Sequence, residues 1–191
     1  MSNKDSYDII LAGVGGQGVL SVAAVVSLAA LKDGYKIRQS EVHGMSQRGG
    51  AVVANMRISP TDIESDLIPR GNADVILSME PVEALRYLDY LKPDGSLITA
   101  AEPYVNIPDY PDLEEIYGKI KALDSSLIIQ AKDLAKEAGS LRAVNMVLVG
   151  ALSSKIPVSY GKIKEAINEI FSRKGQKIVD INLKALELGR Q

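Results

Sequence analysis

Six residues near the N-terminus, Gly13-Val14-Gly15-Gly16-Gln17-Gly18, constrain this chain more than any others. They follow a short apolar run at residues 7–12, the signature of a buried strand, and open a long apolar segment at residues 17–33. Gly34 closes that segment as a helix C-terminal cap. The order is therefore strand, glycine turn, helix. Glycines let a backbone turn tightly and approach a phosphate, and the helix start offers unpaired N–H groups at a positive dipole end. The same glycines also serve a turn that needs only tight bending and close packing. Were the ligand NAD, an acidic residue about twenty positions on would hold its ribose, and Glu41 is the residue available.

Beyond Gly34 the patterning continues as alternating strands and helices. Residues 35–40 read as a second strand and residues 41–50 as a polar, glycine-bearing loop. Residues 51–58 alternate, with Val52, Ala54, Met56 and Ile58 on one face and Asn55 and Arg57 on the other. Residues 74–79 read as a strand and 82–91 as a helix. Lys92-Pro93-Asp94-Gly95 forms a turn, followed by a strand at 96–101. Three prolines mark residues 102–112 as an extended connection. Helices follow at 113–120, 132–138, 143–153, 160–173 and 178–188, with a short strand at 127–130. Such an order specifies an α/β fold: a layered, mostly parallel β-sheet with helices on both faces, a Rossmann-like glycine-rich first turn and a helical C-terminal part. No linker or repeat divides the chain, so residues 1–191 form one domain, with helices from about 143 packing on it. The two unusual loops, 13–18 and 41–50, both follow strands and are expected on one rim of the sheet, where ligands of such folds bind.

Composition removes whole classes of function. With 22 basic against 24 acidic side chains, the chain has no general attraction for nucleic acid. It contains no cysteine, hence no disulfide, thiolate zinc site, cysteine nucleophile or thiolate-held cluster, and a single histidine, His43, excludes a multi-histidine metal centre. No metal site is expected. The polar N-terminus lacks a secretory h-region, and the apolar stretches are too short to span a bilayer. A cytoplasmic protein without membrane or nucleic-acid partners is the expectation.

Residues 39–50 hold the only histidine together with Ser40, Glu41, Ser46, Gln47, Arg48 and Gly49. Such a mixture suits contact with a ligand or a partner subunit. Arg48 can pair bidentately with phosphate or carboxylate, or sit in an ordinary salt bridge, and His43 reads as a hydrogen-bonded structural histidine. Glu80 and Glu83, around Pro81, read as capping and dipole partners of a helix start. Asn145, alone in an apolar helix, reads as satisfying a buried backbone group.

The glycine turn and the block from Ser40 to Gly50 resemble the gamma-type subunits of 2-oxoacid:ferredoxin oxidoreductases, nearest to the indolepyruvate branch. Pro69, Gly71, Ala73 and Asp74, then Glu80-Pro81, then Lys92-Pro93-Asp94-Gly95 fall in the order of that family. The resemblance is strong over residues 7–100 and weaker over 145–151. It implies the small subunit of an enzyme that oxidatively decarboxylates a 2-oxoacid to an acyl-CoA and passes electrons to ferredoxin. Thiamine diphosphate with magnesium and 4Fe-4S clusters would sit on partner subunits, since this chain has neither a Gly-Asp-Gly motif nor cysteines. Coenzyme A would contact Gly13, Gly15, Gly16, Gln17 and Gly18. The thiamine-bearing subunit would face Ser40, Glu41, His43, Ser46, Gln47, Arg48 and Gly49. No residue is assigned a catalytic role. The isolated chain is expected to be inactive and to form a homodimer through apolar faces of the first helix and of residues 143–152. A stand-alone NAD-dependent dehydrogenase and a nucleotide-sensing domain are the competing functions.

Overall fold

The computed structural model describes residues 6–44, 49–105 and 108–190. Six strands form one sheet in the order β2-β3-β1-β4-β5-β6. They are β1 (Tyr7–Val14), β2 (Lys36–His43), β3 (Ala51–Ser59), β4 (Ala73–Ser78), β5 (Leu91–Ala100) and β6 (Ser126–Ile129). β1 pairs in parallel with β4, β4 with β5 and β5 with β6, whereas β3 is antiparallel to both β1 and β2. Only β3 therefore runs against the common direction, and the mostly parallel sheet is as expected.

Side chains alternate across β1: Ile9 and Leu11 join one apolar core, Ile10 the other. The larger core lies under α1 (Val19–Lys32), α4 (Ala131–Ala138), α5 (Val144–Leu152), α6 (Tyr160–Phe171) and α7 (Gln176–Gly189). The smaller lies under α2 (Pro81–Arg86) and α3 (Leu113–Lys121). Helices thus cover both faces. On the smaller face beside β3, the irregular segment 60–72 takes the place of a helix, and the polar residues of β3 hold it. Asn55 Oδ1 accepts from Ile68 N at 3.2 Å. Arg57 donates to the carbonyls of Ser65 (3.0 Å) and Leu67 (3.4 Å) and, through Nε, to buried Asp8 at 3.0 Å. The polar side of the alternation is thus an anchor, not a solvent face.

Four expectations are corrected. β2 runs through His43, so Ser40, Glu41 and His43 lie on a strand; pairing Glu41↔Ala54 and His43↔Val52 with β3 holds the polar segment extended. The helix expected at 82–91 stops at Arg86, and a 3-10 turn, Leu88–Tyr90, leads into β5. Lys92 to Gly95 is a bulge within β5: Ala73 pairs with Leu91 and Val75 with Ser96, so four residues stand opposite Asp74. Finally, the apolar faces of α1 and α5 are covered within the chain. From Met146 to Leu152 every residue of α5 is buried, and α1 leaves only Leu20 and Leu31 as exposed large apolar residues. Helices α5, α6 and α7 do the covering that a second copy was expected to supply.

Candidate functional site at the carboxyl edge of the sheet

Because β1, β4 and β5 run the same way, their carboxyl ends share one edge, and three connections leave from it: residues 15–18, 79–80 and 101–112. As expected, the hairpin connection beyond β2 joins the same rim. Gly15 N donates to Gly50 O at 2.8 Å, and Gly49 N donates to Gly15 O at 3.4 Å. Ser46, Gln47 and Arg48 lie outside the described residues.

The glycine turn is shaped from beneath. A Cβ on Gly13 would stand 3.0 Å from Val19 Cγ2 and 3.1 Å from Met79, so the strand meets the helix closely here and a side chain would have to push its neighbours aside. Gly16 and Gly18 have φ of 102° and 83°, the left-handed region that glycine adopts without strain. Gly18 N-caps α1, and a Cβ there would collide with Asn145 Nδ2. Asn145 Nδ2 instead donates to Gly18 O at 3.3 Å, the backbone role read from its isolation in an apolar helix. Gln17 is committed internally. Its Oε1 accepts from Val14 N at 2.8 Å and its Nε2 donates to Met79 O at 3.2 Å, tying the end of β1 to that of β4.

Beside this turn lies a cleft of about 470 Å³. Gly16, Gln17, Met79 and Ala100 form its floor at the strand ends; Glu102, Pro103 and Tyr104 form one wall. Lys132 of α4 and Arg142, Val144 and Asn145 around the start of α5 form the other, with Leu141 at the mouth. α1 begins next to it, with its N-cap Gly18 bordering the neighbouring depression and with no side-chain cap and no acidic residue in its first turn, a positive end that favours anions. Lys132 and Arg142 add two full charges. The single carboxylate present is Glu102: its Oε1 accepts from Lys132 N at 2.7 Å, and its Oε2 is buried without a hydrogen-bond partner. A buried acceptor of this kind calls for a donor. The cleft therefore suits a ligand with anionic groups, an apolar portion and at least one N–H or O–H donor.

The wall carrying Tyr104 is fastened by Glu80, buried at 1% exposure. Glu80 Oε2 caps α2 by accepting from Glu83 N at 2.8 Å, while Oε1 accepts from Tyr104 N at 3.4 Å and from the Tyr110 hydroxyl. Burial, then the hydrogen bond to Glu80, pushes the Tyr110 hydroxyl well above the usual phenol range. Capping is the role read for Glu80; holding the connection over the cleft is added by the fold.

On the far side of the glycine turn, Gly15, Gly16, Gly18, Leu20 and His43 border a second depression of about 280 Å³. His43 Nε2 lies 3.3 Å from Glu41 Oε2. Glu41 Oε1 accepts from Gln39 Nε2, and Gln39 Oε1 accepts from Ser27 Oγ at 3.3 Å. Residues 39, 41 and 43 point to one face because strand side chains alternate. His43 is thus hydrogen-bonded, as expected, yet exposed. Ser40 faces the other way, its hydroxyl oxygen buried and unpartnered.

This arrangement removes the dinucleotide geometry. In that fold the acidic strand lies next to the glycine strand; here β3 separates them. Glu41 stands two strand spacings, about 9–10 Å, from β1, and its carboxylate is engaged by Gln39 and His43. The glycine turn is not of the Rossmann type. Lys132, Arg142 and Glu102 were not singled out from sequence, where they look like ordinary charges at helix starts and in a proline-bearing connection.

The fold and the cleft define an α/β protein with a cationic cleft at the carboxyl edge of its sheet. The family model for pyruvate ferredoxin/flavodoxin oxidoreductase matches residues 8–191, and the chain belongs to that family, as the small subunit of a 2-oxoacid:ferredoxin oxidoreductase. It is 45% identical over 199 residues to indolepyruvate oxidoreductase subunit IorB of Pyrococcus horikoshii, covering 96% of this chain and 94% of that protein. The pyruvate oxidoreductase subunit PORC of Thermotoga maritima shares the fold with a TM-score of 0.75 at 23% identity, over 98% of this chain and 96% of that one. A 2-oxoglutarate:ferredoxin oxidoreductase from Magnetococcus marinus, solved with 2-oxoglutarate, coenzyme A and succinyl-CoA, matches with a TM-score of 0.77 at 24% identity. That match covers 98% of this chain and 31% of the larger one.

Proposed function

We propose that this chain binds coenzyme A in the carboxyl-edge cleft and presents its glycine turn and His43 to a thiamine-bearing subunit, within a cytoplasmic enzyme that oxidises aryl 2-oxoacids. The observation that carries the coenzyme A assignment is the convergence of Lys132, Arg142 and the backbone of Gly16 and Gln17 around one cleft, next to the uncapped start of α1. Phosphates meet the cations and the backbone around Gly16, and Glu102 Oε2 accepts from an amide or hydroxyl of the ligand. Gly13, Gly15 and Gly18 shape the turn from behind, and Gln17 holds it to β4. The aryl substrate rests on the similarity to the indolepyruvate subunit.

No cysteine exists in this chain to hold a cluster, and among the described residues no group of three or more acidic or histidine side chains is placed to hold a metal. In this reading thiamine diphosphate, magnesium and 4Fe-4S clusters sit on partner subunits, where they would supply decarboxylation and electron transfer to ferredoxin. The part of this chain is to bind the thiol carrier, orient it and exclude water from one side of the reaction. Leu20, exposed at 45%, borders the same depression as the glycine turn and His43, and these residues with Glu41 and Gly49 form the surface for that subunit; Ser46, Gln47 and Arg48, outside the described residues, are assigned to the same contact. Without it, the same surface drives pairing of isolated chains, which sedimentation at micromolar concentration reads directly.

The test is steady-state reduction of a viologen dye by the assembled complex with indolepyruvate and coenzyme A. Lys132→Ala and Arg142→Ala should each raise KM for coenzyme A about tenfold or more, the value of one charge-assisted contact, with KM for the 2-oxoacid unchanged. An unaltered KM for coenzyme A in both variants would remove the ligand from this cleft.

A further inference from the structure

A second cavity of about 300 Å³ opens where the turn before α5, the end of α6 and the start of α7 meet. Its walls are apolar: Ala143, Phe171, Ile178 and Ile181. Around them the charge is positive only. Arg142 and Lys174 both border the cavity, and neither has an ion pair among the described residues. Lys174 Nζ stands over the Phe171 ring, 5.4 Å from its centroid. One open helix start lies beside the cavity. α7, N-capped by Gly175, has neither a side-chain cap nor an acidic residue in its first turn, whereas α5 continues a 3-10 turn, Leu141–Ala143, whose start is capped by Ser140 Oγ accepting from Arg142 N at 3.2 Å. Buried Asn182 completes the wall, with Nδ2 donating to Ile178 O at 2.7 Å.

Two unpaired cations and the uncapped start of α7 favour an anion. A bare phosphate gains nothing from walls of isoleucine and phenylalanine, whereas a carboxylate with an apolar body satisfies both. The volume lies at the lower end for small-molecule sites, which limits the occupant to a small acid. We propose that this cavity is a binding site for a small apolar carboxylate, its carboxylate held between Arg142 and Lys174 and its body against Phe171 and Ile181. The cavity shares Arg142 alone with the carboxyl-edge cleft, so its test rests on Lys174 and Ile181, which the cleft does not use.

The test is titration of the isotopically labelled full chain, followed by amide NMR, with 3-phenylpropionate as probe. Its uncharged amide, 3-phenylpropionamide, and inorganic phosphate serve as controls. Saturable shifts at Ala143, Ile178 and Ile181, with the carboxylate bound about tenfold more tightly than the amide, support the site; that ratio corresponds to one charge-assisted contact. Lys174→Glu, at an exposed position that leaves the fold intact, should weaken the carboxylate at least fivefold without affecting the amide. Ile181→Trp, which fills the cavity, should abolish both. Absence of shifts, equal affinity for acid and amide, tighter binding of phosphate, or insensitivity to Lys174→Glu would each overturn the proposal. Loss of the coenzyme A effect at Lys132 would leave these outcomes untouched, so the two failures are distinguishable.

Discussion

At the scale of residues, Gly18 and Asn145 act as one unit across 127 positions of sequence. Gly18 supplies a φ of 83° and the space, and Asn145 occupies that space to bond its carbonyl. Gly18→Ala should therefore cost about 1–3 kcal/mol through backbone strain and collision, measured by urea unfolding. Adding Asn145→Ala should return the part due to collision and leave the part due to φ. Glu83 illustrates a different balance. It is buried, with Arg86 Nε 3.2 Å from an oxygen that makes no well-directed hydrogen bond. Burial pushes its carboxyl up, against the opposing pull of Arg86. A carboxyl raised in the folded state costs stability as pH climbs from its unfolded value through the raised one, and the loss is recovered on acidification through that window. Glu83→Gln should thus raise the unfolding midpoint at pH 7, with the gain shrinking towards about pH 4.3, the ordinary glutamate value. Of these residues, Asn145 was legible because a lone amide in an apolar helix must find a partner. The environment of Glu83 was not, because it depends on how α2 lies on the sheet.

At the scale of elements, packing overrode local pattern where an element was polar or short. The segment from Glu41 to His43 looks like a loop by composition, yet register with β3 makes it strand; its alternation, Gln39, Glu41, His43, becomes meaningful only once β3 is beside it. The helix pair α5–α7 depends on two glycines. A Cβ on Gly150 would strike Leu186 O, and one on Gly189 would strike Val147 O. Gly150→Ala should force these helices apart and destabilise the chain by about 1–3 kcal/mol. For a domain of this size that is a fall of roughly 2–10 °C in Tm, readable by circular dichroism. Gly161→Ala, where a Cβ meets nothing within 4 Å, serves as the control and should be neutral or slightly stabilising, since alanine favours helix. Glu80→Ala removes both the cap of α2 and the tie to Tyr104 and Tyr110. It should loosen the cleft wall and accelerate proteolysis within residues 102–112.

At the scale of the whole molecule, the described residues form a covered core, and the proposed function assigns the redox chemistry to partner subunits. The helices cover one another's apolar faces, so the core requires no second copy. The chemistry expected of a 2-oxoacid oxidoreductase nevertheless demands groups that these side chains do not offer. The purified chain should show no 2-oxoacid-dependent dye reduction; adding the thiamine-bearing subunit anaerobically should restore it. Turnover by this chain alone would show that the division of labour is wrong.

The amino-acid sequence by itself determined the α/β class, the strand-turn-helix start, the helical C-terminal part and the family. Each rests on local periodicity, on glycine, or on a contiguous motif, all of which are properties of neighbours along the chain. It also determined that no thiolate chemistry occurs here, since that needs only a count. Tertiary structure alone decided that β3 is inserted between β1 and β2, which removes Glu41 from any ribose. It alone decided that Glu102 after β5, Lys132 on α4 and Arg142 before α5 meet at one cleft. Charges at helix starts look alike in sequence; only the common direction of β5 and β6 carries Glu102 and Lys132 to the edge where β1 and β4 also end, and proximity there makes them a candidate site.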